Sequence, residues 1–250
     1  MQLIIAPAKK MQVDQESFKP TAWPRYLDQA QALLAALQRL SYDQAQALWR
    51  CSDQLAKPNY TWLSHMDLRR AVTPAVMSYV GIQYQSMAPG LLTEAGLRYL
   101  SENLRILSGF YGVLRPFDAI VPYRLELGSG FAVGRATNLY EFWGDRLYQA
   151  LDWRAPVVNL ASNEYAKAIT PYLKPTDRLV TVVFGTLKDG KIKTRATYAK
   201  QARGAMVRYA AEHQVDTPAA LTQFDDPRYS YASAYSTPKR LVFLSREMHR

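Results

Sequence analysis

Residues 107–130 read LSGFYGVLRPFDAIVPYRLELGSG and mix glycines and prolines with charged side chains and tyrosines. Glycine and proline weaken helices and strands from within, so this stretch predicts tight turns rather than a regular element. Exposed amides at such turns can bind an anion, which Arg115 and Arg124 could neutralise with paired hydrogen bonds. The alternative is a purely structural turn in which Arg115 pairs with Asp118 and Arg124 pairs with Glu126.

Upstream of this stretch the sequence predicts one buried strand and then a helical region. Residues 3–5 are an apolar run that ends at a turn around Pro7, as expected of a short strand. Apolar residues then recur at helical spacing, with Ser41 as an N-cap and Thr73-Pro74 as a helix start. The predicted helices cover residues 25–40, 42–55, 73–87 and 93–107.

Downstream of it the pattern alternates between helices and strands. The predicted helices cover residues 136–151, 163–173 and 199–215, and the predicted strands lie within 155–162, 178–198 and 239–247. A Lys188-Asp189-Gly190 turn divides residues 178–198 into two strands, which is a strong hairpin signal. No linker splits the chain, so we predict a single domain over residues 1–250. Its fold class is α/β (or α+β), a mixed sheet with packed helices and a helical N-terminal region.

Composition narrows the function classes. The chain has 250 residues, 48% of them hydrophobic, and no apolar run comes near the roughly 18 residues that span a bilayer. Its N-terminus lacks a signal-peptide core, so we expect a cytoplasmic protein without a membrane partner. Cys51 is the only cysteine, and the histidines, His65, His213 and His249, are scattered. This pattern argues against a disulfide and a transition-metal site, and we predict no metal and no cofactor.

Charge favours a polyanionic partner. The net charge is +10 and the pI is near 9.6, values that are common among nucleic-acid-binding proteins. The cations are densest between residues 188 and 208, a segment that contains seven lysines and arginines but only one acidic residue, Asp189. Lys193 lies on the same face of a predicted strand as its neighbours Lys191 and Arg195, and Lys200 and Arg203 lie three apart on the next helix. We expect this segment to contact a polyanion.

Two further places could carry chemistry. Lys9 follows the first strand, where it could reach a phosphate or act as an amine nucleophile, or simply be a solvated surface lysine. Asn159, Ser162 and Glu164 follow a predicted parallel strand, and ligands gather at the carboxyl ends of such strands. The alternative is that Ser162 or Asn163 caps the next helix and that Glu164 interacts with its dipole.

Five blocks of the sequence together carry a family resemblance. They are APAKK (6–10), residues 104–128, LYEFWGD (139–145), VNLASNEYAKAI (158–169) and YAKQARGAMVRY (198–209). They resemble, in order, the motifs of the peroxide stress protein YaaA family, and the similarity extends to the last predicted strand. Ala6 stands where the family usually has serine, which removes one hydroxyl from the expected site.

The resemblance implies a single-domain DNA-binding protein with a positively charged cleft and a helix-hairpin-helix element. It also implies a role in oxidative stress, in which family members help to limit intracellular free iron, and it implies no settled enzymatic reaction. Within this frame, the glycines and prolines of residues 107–130 are expected to fold a rigid loop. That loop would bring Arg115, Tyr123, Arg124 and Glu126 to a wall of the cleft.

The helix-hairpin-helix element has two candidate positions. Its turn binds a phosphate through backbone amides and normally contains glycine. Residues 52–63 are the first candidate, although Lys57 replaces a glycine there and Pro58 removes an amide donor, so that Lys57 would supply charge instead. Residues 107–112 are the second candidate, with Pro116 limiting the helix that follows.

We therefore predict binding to duplex or branched DNA with little sequence specificity, because no helix-turn-helix or zinc finger is present to read base edges. The oligomeric state is not fixed by the sequence. With six phosphate contacts the log–log salt slope would be roughly −5. The six predicted phosphate contacts are Lys9, Arg115, Arg124, Lys193, Lys200 and Arg203. Lys57 would add a seventh at the hairpin.

Two other functions compete with DNA binding. One is an enzyme acting on a nucleobase, nucleotide or similar anionic small molecule, in which a lysine nucleophile would suit glycosylase or lyase chemistry. The pocket residues of that enzyme would be Lys9, Tyr123, Glu126, Asn159 and Glu164. The other is direct iron binding by carboxylates such as Asp118, Glu126 and Glu164, which the shortage of histidine and cysteine ligands disfavours.

Overall fold

The computed structural model describes residues 1–14, 16 and 18–246, and a mixed sheet lies at its centre. The strands among these residues are β1 (Gln2–Ile5), β2 (Thr73–Pro74), β3 (Leu104–Ser108), β4 (Gly112–Leu114), β5 (Ala119–Ile120), β6 (Val157–Asn159), β7 (Leu179–Lys188), β8 (Lys191–Lys193), β9 (Tyr229–Tyr231) and β10 (Arg240–Ser245). Eight of them form one sheet in the order β4-β3-β1-β6-β7-β10-β9, with β8 paired to the end of β7. Strands β2 and β5 pair separately.

The helices flank this sheet. Those in the described residues are α1 (Leu27–Leu37), α2 (Tyr42–Trp49), α3 (Asp53–Ser64), α4 (Ala75–Ser78), α5 (Ile82–Met87), α6 (Glu94–Asn103), α7 (Leu139–Trp143), α8 (Arg146–Gln149), α9 (Asn163–Ala166) and α10 (Ala196–Glu212). Short 3₁₀ turns link several of them. The predicted α/β class is confirmed.

The five inner strands, β3, β1, β6, β7 and β10, run parallel, and the outer pairings with β4, β8 and β9 are antiparallel. Strands covered on both faces need continuous apolar runs. Leu3, Ile4 and Ile5 of β1 are accordingly inaccessible to solvent, and Leu3 pairs with Leu104 on one side and Val158 on the other. The first predicted strand is therefore confirmed, and it is an inner strand of the parallel core.

The chain leaves β1 and β6 in opposite directions. After β1 the next strand of the parallel set is β3 on one side, whereas β6 is followed by β7 on the other side. Where neighbouring parallel strands diverge in this way, their loops separate and leave a crevice at the carboxyl ends of the strands. In this protein that crevice lies between residues 6–9 and residues 162–165.

The helix-hairpin-helix prediction is wrong at both of its positions. Residues 53–64 form one continuous helix, α3, with Pro58 inside it, so no turn exists at Lys57-Pro58. Residues 104–114 form two antiparallel strands rather than helices, because β3 must pair with β1 to extend the sheet. The chain instead turns at residues 50–52, where Arg50 adopts a left-handed conformation and divides the predicted helix 42–55 into α2 and α3.

Several other helix predictions are too long. The predicted helix 163–173 contains only α9 and a later 3₁₀ turn. The predicted helix 93–107 ends at Asn103, and its last residues belong to β3. The predicted helix 73–87 begins with the Thr73-Pro74 bridge to β5 and then breaks into α4 and α5. The predicted helix 136–151 is interrupted at Gly144, whose φ of 52° is left-handed.

Other local predictions are confirmed. Ser41 caps α2 in a capping box with Gln44, and the hairpin between β7 and β8 turns at Asp189-Gly190, both with positive φ. Strand β9 has no counterpart among the sequence predictions. His249 and the end of the predicted strand 239–247 lie outside the described residues.

Candidate functional site

A cavity of about 480 Å³ occupies the crevice at the ends of β1 and β6. Residues 6–9 follow β1 and form one wall, and residues 81–84 at the start of α5 form another. The remaining lining residues come from the loop after β5, the start of α9 and the helix α10, and they are Tyr123, Arg124, Leu125, Glu126, Ser162, Glu164, Tyr165, Lys200 and Arg203. We call this cavity the candidate pocket.

The turn at Gly109 determines where the loop after β5 lies. A Cβ atom at Gly109 would approach the Leu125 carbonyl oxygen and the Leu127 amide nitrogen to 2.8 Å each, so only glycine fits this close backbone contact. Beside it, the Ser108 hydroxyl lies 2.7 Å from the Tyr123 hydroxyl and accepts hydrogen bonds from the amides of residues 110 and 111. The glycine-rich stretch thus anchors residues 123–126 against the sheet.

A second glycine brings α10 against α5. A Cβ atom at Gly204 would lie 1.9 Å from the Gln83 carbonyl oxygen, a distance that no side chain can occupy. The contact places Lys200 and Arg203 on the wall opposite the β1 loop. The group that approaches Gly204 is therefore the backbone of α5.

The charges of the pocket wall do not cancel. Four cations, Lys9, Arg124, Lys200 and Arg203, line the pocket with two carboxylates, Glu126 and Glu164. The Lys9 Nζ lies 2.6 Å from Glu126 Oε1, and Glu164 Oε1 accepts a 2.8 Å hydrogen bond from the Gly128 amide. Both carboxylates therefore have protein partners, and a net positive charge remains on the wall.

The two arginines, Arg124 and Arg203, which we call the pocket arginines, differ from these paired groups. The Nε atom of each is buried and has no hydrogen-bond acceptor within the part of the chain that the structure describes. Burial also lowers the pKa of the Arg203 guanidinium. A buried donor without an acceptor is destabilising, and in native proteins such a group requires a specific explanation. An anionic ligand would supply the acceptor and the countercharge together.

Tyrosines complete the pocket, and their hydroxyls already have partners. Tyr84 donates to the Ala6 carbonyl oxygen over 3.0 Å, and Tyr123 hydrogen-bonds to Tyr79 as well as Ser108. Burial raises the pKa of Tyr123 to about 12 and raises those of Tyr84 and Tyr165 well above the ordinary value. These side chains are neutral at physiological pH and hold the walls of the pocket in place.

The structure brings eight of the sequence-predicted site residues to this one pocket. They are Lys9, Tyr123, Arg124, Glu126, Ser162, Glu164, Lys200 and Arg203. The expected Arg124–Glu126 pair does not form, because Glu126 pairs with Lys9. Ser162 is the N-cap residue of α9, and among the described contacts its side chain makes no capping hydrogen bond.

Four other predicted residues lie elsewhere. Lys57 pairs with Asp53 on α3, Arg115 pairs with Asp118, and Lys193 lies 3.6 Å from Asp189 in the hairpin. Asn159 is buried at the end of β6, where its Oδ1 accepts a hydrogen bond from the Ala161 amide and fixes the strand end. Their proposed contacts with DNA or with a substrate stay sequence predictions.

Gln83 is a pocket residue that sequence reasoning missed, as are Tyr84 and Tyr165. Gln83 is 7% exposed, and its side-chain nitrogen has no acceptor among residues 1–14, 16 and 18–246. In the sequence it is an ordinary polar residue of a helical segment. Its burial results from contact with α10, more than a hundred residues later in the chain.

Residues 1–14, 16 and 18–246 contain neither a membrane-spanning helix nor a cluster of metal-ligating side chains. None of their helices is long and apolar enough to cross a membrane. No group of three or more histidine, cysteine, aspartate or glutamate side chains in the same residues could hold a metal ion.

Comparison with known proteins gives consistent matches over the whole chain. Residues 1–235 match the family model of the peroxide stress protein YaaA. A UPF0246 protein of Lactiplantibacillus plantarum is 58% identical over 245 residues, covering 98% of this chain and 99% of the relative. A UPF0246 protein of Pediococcus pentosaceus is 52% identical, covering 100% of this chain and 100% of the relative. A UPF0246 protein of Limosilactobacillus reuteri is 49% identical, covering 97% of this chain and 98% of the relative. The resemblance read from the sequence is confirmed, and the chain belongs to the peroxide stress protein YaaA family.

Proposed function

We propose that this protein binds the phosphate groups of DNA through the candidate pocket as part of the peroxide stress response. Membership of the YaaA family supports the stress role. The observation that carries the binding proposal is the pair of pocket arginines, whose buried Nε atoms lack an acceptor among the described residues. Arginine binds phosphate oxygens with paired, charge-assisted hydrogen bonds, which makes a phosphate the natural acceptor.

The proposed binding mode uses the backbone rather than the bases of DNA. Lys9 and Lys200 are exposed and border the same cavity, so they extend the cationic wall towards solvent. Phosphate contacts position a protein on DNA without reading its sequence. We therefore propose little sequence specificity and a strong dependence of affinity on salt.

The test is DNA binding by a double variant, measured by fluorescence anisotropy across a salt series. Arg124→Gln/Arg203→Gln should bind every duplex and branched substrate more weakly and flatten the log–log salt slope by about two, one for each lost phosphate contact. The control is Arg39→Gln/Arg69→Gln, which removes the same charge from exposed positions outside the pocket. Its slope should stay near that of the wild type. Equal slopes for both double variants would overturn the proposal.

We also propose that the family role in limiting free iron depends on this pocket. Cells that lack the protein would be complemented with the wild type or with Arg124→Gln/Arg203→Gln, and chelatable iron would be measured by electron paramagnetic resonance after peroxide treatment. The variant should leave free iron high and survival low. Full complementation by a stable variant would separate the iron role from the pocket.

A second candidate function is enzymatic. The supporting observation is the close Lys9–Glu126 pair, which lies in the pocket with Tyr123 and Glu164, so that a nucleophile and an acid–base group share one cavity. Glycosylase–lyase chemistry on a nucleotide turned out of DNA would have the Lys9 amine attack C1′ of the deoxyribose, break the glycosidic bond with the base as leaving group, and form an imine with the opened sugar. Borohydride trapping with abasic-site DNA tests this, and an adduct that disappears in Lys9→Ala would establish the enzyme. Absence of any adduct would leave the protein as a binding protein.

A further inference from the structure

The candidate pocket is larger than a phosphate group needs. Its volume of about 480 Å³ lies within the range of small-molecule sites, roughly 300–1,000 Å³. The pocket arginines form the charged part of the wall, whereas Ile82, Tyr84 and Leu125 add apolar surface to it. A bare phosphate would satisfy the arginines and leave the apolar surface uncovered.

Gln83 sets a second requirement for the ligand, which is a hydrogen-bond acceptor. Its side chain is more than nine-tenths buried in the pocket wall, and the structure provides no acceptor for its Nε2 atom in the described residues. Contact of its backbone with Gly204 holds it beneath α10. Buried amides in native proteins are almost always hydrogen-bonded. A ligand with a carbonyl or ring-nitrogen acceptor would complete this one.

The tyrosines offer rings rather than hydroxyls. The Tyr84 hydroxyl donates to the Ala6 carbonyl oxygen, and the Tyr123 hydroxyl bonds to Ser108 and Tyr79. Burial raises the pKa of the Tyr165 hydroxyl well above its ordinary value, so this side chain is neutral. What remains for a ligand is aromatic surface, which favours a flat ring system.

We propose that the candidate pocket binds one nucleotide unit, with its phosphate on the pocket arginines and its base against the tyrosine-lined wall within reach of the Gln83 amide. This inference rests on the phosphate-binding role proposed above for Arg124 and Arg203, and it adds the identity of the rest of the ligand. The unit has two sources with the same chemistry. It is either a free nucleoside monophosphate or a nucleotide turned out of a DNA strand.

Calorimetric titration of the full chain with inorganic phosphate, ribose 5-phosphate and the four nucleoside monophosphates tests the proposal. At least one nucleotide should bind about tenfold or more tighter than ribose 5-phosphate, because only the base satisfies the buried amide. Equal affinity for ribose 5-phosphate and all four nucleotides would overturn the inference while leaving phosphate binding intact.

Gln83→Leu then identifies the residue responsible. It should reduce the preference for the nucleotide over ribose 5-phosphate to less than about threefold and leave the affinity for ribose 5-phosphate unchanged. Thermal stability should be equal or higher, since a buried unpaired amide has been removed. Gln85→Leu is the matched control, because it makes the same change at an exposed position of α5 outside the pocket. Gln83→Met serves if the leucine variant does not fold. A nucleotide preference that survives in both Gln83 variants would contradict the assignment.

Competition experiments separate the two sources and the two proposals. If the nucleotide comes from DNA, a mismatched duplex should bind tighter than a fully paired one, because its bases unstack at lower cost, and the preferred nucleotide should displace it. If the source is a free nucleotide, it should bind without competition from DNA, which would support this inference and overturn the DNA role. Loss of DNA binding but not of nucleotide binding in Arg124→Gln/Arg203→Gln would overturn the inference and leave the DNA role standing.

Discussion

Arg115 and Arg124 come from the same glycine- and proline-rich stretch, and the structure uses them in opposite ways. The Arg115 Nε donates to Asp118 Oδ1 over 3.0 Å, and its NH2 group donates to the Trp23 carbonyl oxygen. Arg124 faces the candidate pocket, and its Nε has no acceptor in the described part of the chain. Both are arginines with an acidic residue two or three positions later in the sequence, so the partner supplied by the fold decides which arginine is structural and which is available to a ligand.

The largest expected difference is in stability. Asp118 is 1% exposed, so Arg115→Ala would leave a buried carboxylate without its cation and should lower the free energy of unfolding by about 3–5 kcal/mol at neutral pH. Arg124→Ala should lower it by less than about 1 kcal/mol, because the described residues provide no acceptor for its Nε that the change would leave unpaired. Urea denaturation of the two variants measures both values. Similar losses in both variants would erase the distinction between the two arginines.

The pH dependence of stability tests the Arg115 side of the comparison. Burial raises the pKa of Asp118 to about 6 from 3.8, against the opposing effect of the hydrogen bonds from Arg115. A carboxyl with a raised folded-state pKa contributes stability that is fully present below pH 3.8 and is lost as the pH rises through about 6. The loss amounts to at most about 3 kcal/mol.

Asp118→Asn removes this titration, so its unfolding free energy relative to wild type should rise as the pH increases from 4 to 7. Denaturation at several pH values provides the measurement. The comparison with wild type isolates Asp118 from the other carboxylates, several of which have lowered pKa values and change stability in the opposite direction. A difference that does not vary with pH would show that Asp118 is charged throughout this range.

These contrasts also show what the sequence could and could not predict. The apolar run of residues 3–5 and the Asp189-Gly190 turn are local signals, and the sheet and hairpin follow them. Residues 104 and 107 continue the helical spacing of α6, yet they form β3 because pairing with β1 outweighs local propensity. Pro58 is predicted to lie in a hairpin turn, but it lies within α3.

The residues of the candidate pocket also differ in whether a local sequence signal predicts them. Lys9, Glu164 and Lys200 could be found because each follows a recognisable strand or lies on a basic helix. Gln83 could not be found, since its burial depends on a helix contact made through Gly204. The difference between Arg115 and Arg124 was equally inaccessible, because both have an acidic residue nearby in the sequence and only the fold decides which pairs form.

A smaller stability change tests the pocket side of the comparison. Arg203→Met keeps the aliphatic stem and removes a partly buried guanidinium whose pKa burial lowers. Because it relieves the desolvation of an unpaired charge, it should raise the free energy of unfolding by about 1 kcal/mol while weakening anion binding. Thermal denaturation and DNA titration of the same preparation test both effects. A destabilised Arg203→Met would mean that the guanidinium has a structural role.

The smallest stability effect is expected at the pocket entrance. The Lys9 and Glu126 side chains are 62% and 37% exposed, and exposed ion pairs contribute less than about 1 kcal/mol. Glu126→Gln should therefore leave stability nearly unchanged and increase affinity for DNA a few-fold, because it releases Lys9 and adds one net positive charge. Unchanged or weaker DNA binding would indicate that Glu126 itself contacts the ligand.

The most direct test of the account observes the arginine side chains themselves. In ¹H–¹⁵N spectra of the Nε–H groups, assigned through the Arg115, Arg124 and Arg203 variants, a short duplex or mismatched DNA is titrated to saturation. The account predicts that the Arg124 and Arg203 resonances move and exchange more slowly with water as they gain an acceptor, while Arg115, already bonded to Asp118, stays in place. Saturation of binding with Arg124 and Arg203 unmoved, or with Arg115 moving alongside them, would contradict it.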